Sequence, residues 1–200
     1  MSAARKYIVE DYLRLDLEAK EARKSKFISK EITNYAGASE AHCEISTNTF
    51  GELYIRLKGK SCRPYAFELK VQVNEDRTFV YPDIVVACEP KVFAHSNPPA
   101  LLNPSIIIQV LSLTTASYDL NEKLILYKSS ESIDQIIYID SLTVRVISHV
   151  RQSTGWAMQT ILTHLAQVLN LPFIMQQLPL SEIYGTLLDE GLVRPYSRPA

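Results

Sequence analysis

The run Ile106-Ile107-Ile108-Gln109-Val110-Leu111 decides how this chain folds. It is continuously apolar except for one amide and contains no turn former. That is the pattern of a central strand buried on both faces. A buried amide needs partners. Gln109 is therefore either a structural group bridging strands or a group that faces a site. Upstream, Tyr81-Pro82-Asp83 leads into Ile84-Val85-Val86-Ala87-Cys88, a second apolar strand with a carboxylate at its mouth. Pro82 fixes the backbone just before Asp83. A carboxylate in that position is costly to bury unless it accepts backbone hydrogen bonds, pairs, or binds a cation. Downstream, Asp119-Leu120-Asn121-Glu122-Lys123-Leu124 opens a helix, with Leu120, Leu124 and Tyr127 on one face. Asp119 and Glu122 suit a helix N-terminus, and Lys123 falls next to the buried strand.

Further out, Val9 to Leu17 has helical spacing, and 27–35 alternates as a hairpin at a sheet edge does. Ala41, Ile45, Thr49, Leu53 and Leu57 recur every four residues, so 40–58 reads as a long helix with Ser39 as its cap and Gly59 as its stop. His42, alone near that helix start, reads as structural. Strands are expected over 63–67, 68–73 and 78–88, with a turn at 74–77. A proline-rich loop covers 90–104, further strands cover 135–139, 144–150 and 156–162, and a short helix covers 180–188. No linker divides the chain. The expectation is one domain over 1–190 with a tail at 191–200, of α+β (α/β) class, built on a mixed β-sheet flanked by helices.

Composition narrows the function classes. Of 200 residues, 46% are hydrophobic and 22% charged, which excludes a disordered, collagen-like or coiled-coil chain. Lys+Arg 21 against Asp+Glu 22 leaves a net charge of −1, which excludes only a uniformly basic nucleic-acid binder. Locally, 20–30 hold five basic residues against Glu21, and 51–70 hold five against Glu52 and Glu68. Cys43, Cys62 and Cys88 fit no disulfide framework and no metal pair, and each lies in a segment that reads as buried. They are expected as core thiols in a reducing, cytoplasmic setting. No apolar leader and no membrane-spanning run is seen. The remaining histidines, His95, His149 and His164, lack ligand spacing for zinc. No phosphate loop, nucleophile elbow or dinucleotide fingerprint occurs.

Taken in order, Ala36-Gly37-Ala38-Ser39-Glu40-Ala41-His42, Tyr81-Pro82-Asp83-Ile84, Gln109-Val110-Leu111-Ser112, Tyr118-Asp119 and Glu122-Lys123 through Tyr127 resemble the Uma-two type restriction-endonuclease family, a bacterial group within the PD-(D/E)XK nuclease superfamily. The likeness runs from about Val9 to Tyr184. It implies a restriction-endonuclease-like core, DNA as partner, Mg²⁺ as cofactor, and a homodimer, because cutting both strands needs two sites. It also implies a catalytic set at Lys26, Asp83, Gln109 and Lys123, with Asp83 the metal ligand. Hard oxygen ligands would hold Mg²⁺, which activates water and neutralises charge on the phosphate. The lysine would orient or deprotonate that water.

The chain departs from this pattern where the metal should sit. Gln109 stands in place of the strand Glu. The family's Lys-x-Glu-Tyr-x-Asp-Gly-Glu stretch aligns with Lys24-Ser25-Lys26-Phe27-Ile28-Ser29-Lys30-Glu31, so Lys26 replaces an acid. At 4 Å and an effective dielectric near 20, one such charge pair is worth about 4 kcal/mol, and the exchange turns attraction into repulsion. Metal-dependent cleavage is therefore expected to be absent or severely weakened, with Glu31 or Glu122 as alternative acids. Lys24, Lys30, Arg56 and Lys58 are the expected nucleic-acid contacts. The competing readings are a DNA nuclease with an impaired site, a non-catalytic nucleic-acid binder of nuclease fold, and an interaction protein whose basic stretches are only solvated faces.

Overall fold

A computed structural model describes residues 38–66, 69–74, 78–113, 115–157 and 159–197, together with Asp11 and the backbone of two strands at 25–28 and 31–34. The helix expected at Val9 to Leu17 lies almost wholly outside the described residues. In chain order the elements are β1 (Ser25–Ile28), β2 (Glu31–Asn34), α1 (Glu40–Leu57), β3 (Cys62–Ala66), β4 (Val71–Gln72), β5 (Phe79–Val80), β6 (Ile84–Cys88) and β7 (Ile106–Leu111). A helical stretch, α2 (116–129), follows, then β8 (Gln135–Asp140), β9 (Val146–Gln152), β10 (Gly155–Trp156), β11 (Thr160–Leu162), β12 (Val168–Leu171), β13 (Gln176–Pro179) and α3 (Leu180–Tyr184).

All six residues of β7 are buried, as a central strand requires. The main sheet runs β10-β9-β8-β7-β6-β3, with β11 also on β9. β7 and β8 pair in parallel, from Ile106↔Gln135 to Leu111↔Asp140, and α2 is the crossover between them. The other pairs are antiparallel, so the sheet is mixed. Strand alternation then sorts the core into two layers. Ile84, Val86, Ile106, Ile108 and Val110 pack under α1 through Ala41, Ile45, Leu53 and Leu57. Val85, Ala87, Ile107 and Leu111 pack on the opposite face with Tyr127 of α2. Gln109, being odd, belongs to the α2 face.

Local rules place α1 as the four-residue spacing requires. Its buried residues are Ala41, Ile45, Thr49, Leu53 and Leu57. The Ser39 hydroxyl accepts the His42 N–H at 3.3 Å, and Gly59 takes φ +77°, the left-handed turn that ends a helix. Where the structure differs, a physical reason is visible. The expected strand 78–88 is two strands in different sheets, because Tyr81-Pro82-Asp83 interrupts the ladder and Pro82 has no N–H to give it. β5 joins the four-stranded sheet β2-β1-β5-β4, and only β6 reaches the main sheet. The hairpin β12–β13, in a stretch from which no element was expected, covers the α1 layer through Leu169, Leu171 and Leu178. Packing continues past residue 190: Val193 is buried and Arg194 bridges Thr143.

The cysteines require a correction. Cys62 and Cys88 stand opposite each other across β3 and β6 and form a disulfide. Cys43 is free and exposed, on the outer side of α1. The core-thiol expectation fails because only strand register reveals that two distant cysteines are partners. The reducing compartment inferred from it loses its support. No helix among the described residues is long and apolar enough to cross a membrane.

On β9, His149 is buried edge-on to Tyr138, with rings 6.2 Å apart at 86°. Burial, and secondarily the Lys128 charge, push its imidazole down to about 4 from 6.5. The unfolded chain then binds the proton first. Stability should fall as pH drops from 6.5 toward 4. Urea midpoints of a His149→Phe variant should lack that slope while retaining the slopes of other groups.

Candidate active site

One end of the main sheet gathers the polar groups that its core excludes. β6 and β7 pair at Ile84↔Ile108, so one step further Asp83 falls opposite Gln109. The Asp83 carboxylate is 21% exposed and is reached from both layers. Its Oδ1 lies 3.1 Å from His42 Nε2 at the start of α1. Its Oδ2 accepts the Val110 N–H at 2.8 Å and also the Gln109 side-chain amide. Gln109 Oε1 in turn accepts from Lys123 Nζ at 2.7 Å and from the Tyr127 hydroxyl at 3.2 Å. Lys123 completes its pairing on Asp119 Oδ1 at 2.8 Å. The Lys123 side chain is 0% exposed and that of Asp119 2%, so the pair is sealed from water.

The orientation of Gln109 is dictated by its neighbours. A carboxylate only accepts and an ammonium only donates. The NH₂ must therefore face Asp83 and the oxygen must face Lys123. A glutamate could not donate to Asp83, so the amide is the side chain that joins these two groups without repulsion. The helix contributes an irregularity of its own. Residues Asp119–Lys123 form a wide π turn within α2. Asp119 and Lys123 are buried on the face that Tyr127 shares, and Leu120, Leu124 and Tyr127 pack on the core as the sequence spacing predicts.

Electrostatics follow the contacts. Burial raises the Asp83 carboxyl, but the His42 hydrogen bond and charge, the Val110 amide and the Lys123 charge outweigh it and hold it below the usual 3.8. Burial keeps the Tyr127 phenol well above 10, so it stays a neutral donor to Gln109. A depressed carboxylate contributes stability that is present above 3.8 and is lost as pH falls through the folded value. An Asp83→Asn variant should be less stable than the parent at pH 7. The gap should close below pH 3.8, as read from urea midpoints at both pH values.

This donor set does not suit Mg²⁺. Hard cations take several oxygen ligands, mostly carboxylates and water. Among the described residues Asp83 is the carboxylate that Gln109 and His42 share, and both of its oxygens are engaged by protein donors. The Gln109 oxygen points at an ammonium. Among the described residues, no three His, Cys, Asp or Glu side chains converge as a metal site would require.

Asp83, Gln109 and Lys123 are thus brought together. Lys26 lies in β1, paired with Thr33, but its side chain is outside the described residues, as are Lys24 and Lys30. Glu122 is exposed, and Glu31 lies in β2 opposite Ile28. Arg56 is engaged by Glu52 and Glu182 and donates to the Gln177 carbonyl at 3.2 Å. With Lys58 it sits at the far end of α1, about 20 Å along the axis from His42. Sequence reasoning missed His42 and Asp119 as site groups. The spacing of Asp119 and Lys123, four apart beside a polar strand position, was the available signal for one of them. Nothing local signalled that His42 meets Asp83 from another layer.

A family model described as "Putative restriction endonuclease", Uma2, matches residues 9–181. Two proteins of Synechocystis sp. (strain PCC 6803) are similar. One, "Uncharacterized protein sll1609", is 30% identical over 136 residues, which are 68% of this chain and 76% of that protein. The other, "Uncharacterized protein slr1290", is 24% identical over 148 residues, 74% of this chain and 76% of that one. Among solved structures, "a putative nuclease belonging to DUF820" from Anabaena variabilis ATCC 29413 superposes with a TM-score of 0.70 at 15% identity, over 88% of this chain and 98% of that one. At that identity the likeness is one of fold. It bears out the mixed sheet between helices.

Proposed function

The chain belongs to the Uma2 family, and on that premise we propose that it is a restriction-endonuclease-like DNA-binding protein whose metal-dependent phosphodiester hydrolysis is disabled. The observation that carries this reading is Gln109. Its amide satisfies Asp83 and its oxygen satisfies Lys123, so the oxygens that would hold a metal are already taken by protein donors. The buried ammonium supplies, from within, positive charge that a bound cation would otherwise bring. Duplex DNA is the partner, and two copies act together as a dimer. Of the basic groups, Lys24, Lys26 and Lys30 of the N-terminal hairpin region are assigned to the phosphate backbone and Lys58 to its periphery. Arg56 is already engaged by Glu52 and Glu182.

The test is an assay with supercoiled plasmid at protein excess in Mg²⁺ or Mn²⁺, beside a gel-shift series in rising salt. The expected result is no nicking, together with a shift that weakens steeply with salt. Replacing Lys24, Lys26 and Lys30 by glutamine should abolish the shift. Nicking that disappears in Asp83→Ala would overturn the loss of cleavage. Absence of any shift at low salt would overturn DNA binding and favour the interaction-protein reading.

A further inference from the structure

We propose that Cys62 and Cys88 form a redox-responsive clamp on the two elements that bring His42 to Asp83. Among the described residues β3 is the outermost strand of the main sheet and has β6 as its one strand neighbour. Edge elements open at lower free energy than central ones. The disulfide closes that edge covalently at the first residue of β3 and the last of β6. Beside it the Glu89 N–H donates to the Ser61 carbonyl at 3.1 Å. Only residues 58–61 separate β3 from the end of α1, and α1 carries His42. The covalent path from His42 to Asp83 through the bridge runs the length of α1, residues 58–61, the two sulfurs and the length of β6, so the clamp acts at the ends of α1 and β6 remote from the site. Asp83 immediately precedes β6, and its contact with His42 is 3.1 Å. Opening the bridge removes the disulfide that fixes β3, and through residues 58–61 the C-terminal end of α1, against β6.

The two cysteine residues differ in exposure. Cys62 is 8% exposed, whereas Cys88 is partly open to solvent. An external thiolate therefore attacks Cys88 Sγ, the protein S–S bond breaks, and Cys62 leaves as a thiolate. The Ser61 hydroxyl, 3.9 Å from Cys62 Sγ, is placed to hydrogen-bond that leaving group. A second external thiolate resolves the mixed disulfide at the reductant's own sulfur and releases Cys88. Two electrons pass from two small-molecule thiols to the protein. Two protons end on Cys62 and Cys88, and the reductant leaves as its disulfide. Oxidation by a small-molecule disulfide is the reverse.

The full chain is equilibrated with reduced or oxidised glutathione, then melted, and alkylated after denaturation for a thiol count by mass. The oxidised sample should alkylate at Cys43 alone and the reduced one at all three cysteines. Reduction should lower the melting temperature by about 4–16 °C. It should also move the His42 imidazole resonance in NMR spectra. A Cys62→Ser, Cys88→Ser double variant should melt like the reduced protein and ignore glutathione. If that variant fails to fold, the two glutathione arms on the unaltered chain still decide. Three alkylated cysteines in both samples, or equal melting temperatures, would overturn the redox pair. A lowered melting temperature with an unmoved His42 resonance would overturn the clamp on the site.

Discussion

Replacing Lys123 by methionine should lower the unfolding free energy by about 3–5 kcal/mol, which corresponds to a fall in melting temperature on the order of 6–20 °C for a chain of this size. The substitution leaves Asp119 as an uncompensated charge, with its side chain 2% exposed. It also strips Gln109 of its 2.7 Å donor. Most of the cost is that orphaned carboxylate rather than the intrinsic worth of the ion pair. A second substitution, Asp119→Leu, should therefore restore much of the loss, since an apolar pair of similar volume is often neutral relative to a buried salt bridge. A loss below about 1 kcal/mol for Lys123→Met would match a solvated pair instead. Urea unfolding of the two variants and the parent at pH 7 makes the comparison.

The Gln109→Glu variant should behave in the opposite way toward metal. It removes the donor that Asp83 now accepts and sets a second carboxylate beside the first. Without metal the variant should be less stable than the parent, because two adjacent carboxylates cannot both ionise freely. Mn²⁺ should then restore it. At a concentration a hundred times the dissociation constant, binding adds about 2.7 kcal/mol, or roughly 5–11 °C in melting temperature. The parent should show no such gain. Equal metal responses in parent and variant would mean that Gln109 is not the group that closes the site to cations.

Much of this architecture was legible because it rests on short-range periodicity. The four-residue repeat of α1 named its five buried residues, and the unbroken run of β7 named the centre of the sheet. Pairing Gln109 with Asp83 and Lys123 also followed from residue order, through the family resemblance. What escaped was information that only register and layer geometry carry. The Cys62–Cys88 bond depends on the alignment of β3 with β6. The contact of His42 with Asp83 depends on α1 ending its first turn over the mouth of β6. The burial of Asp119 depends on its pairing with Lys123 beneath Gln109, a contact between α2 and β7 that a reading of Asp119 as a helix start does not carry. Each is a long-range or irregular feature, and each lies at the site or at the sheet edge that supports it.

The most direct test of the central claim, that protein groups have taken the place of the metal, is calorimetric titration of Mn²⁺ into the unaltered protein, with Asp83→Ala run in parallel. No saturable heat is expected at millimolar metal, with indistinguishable traces for the two proteins. A one-site isotherm in the parent that vanishes in Asp83→Ala would contradict that claim.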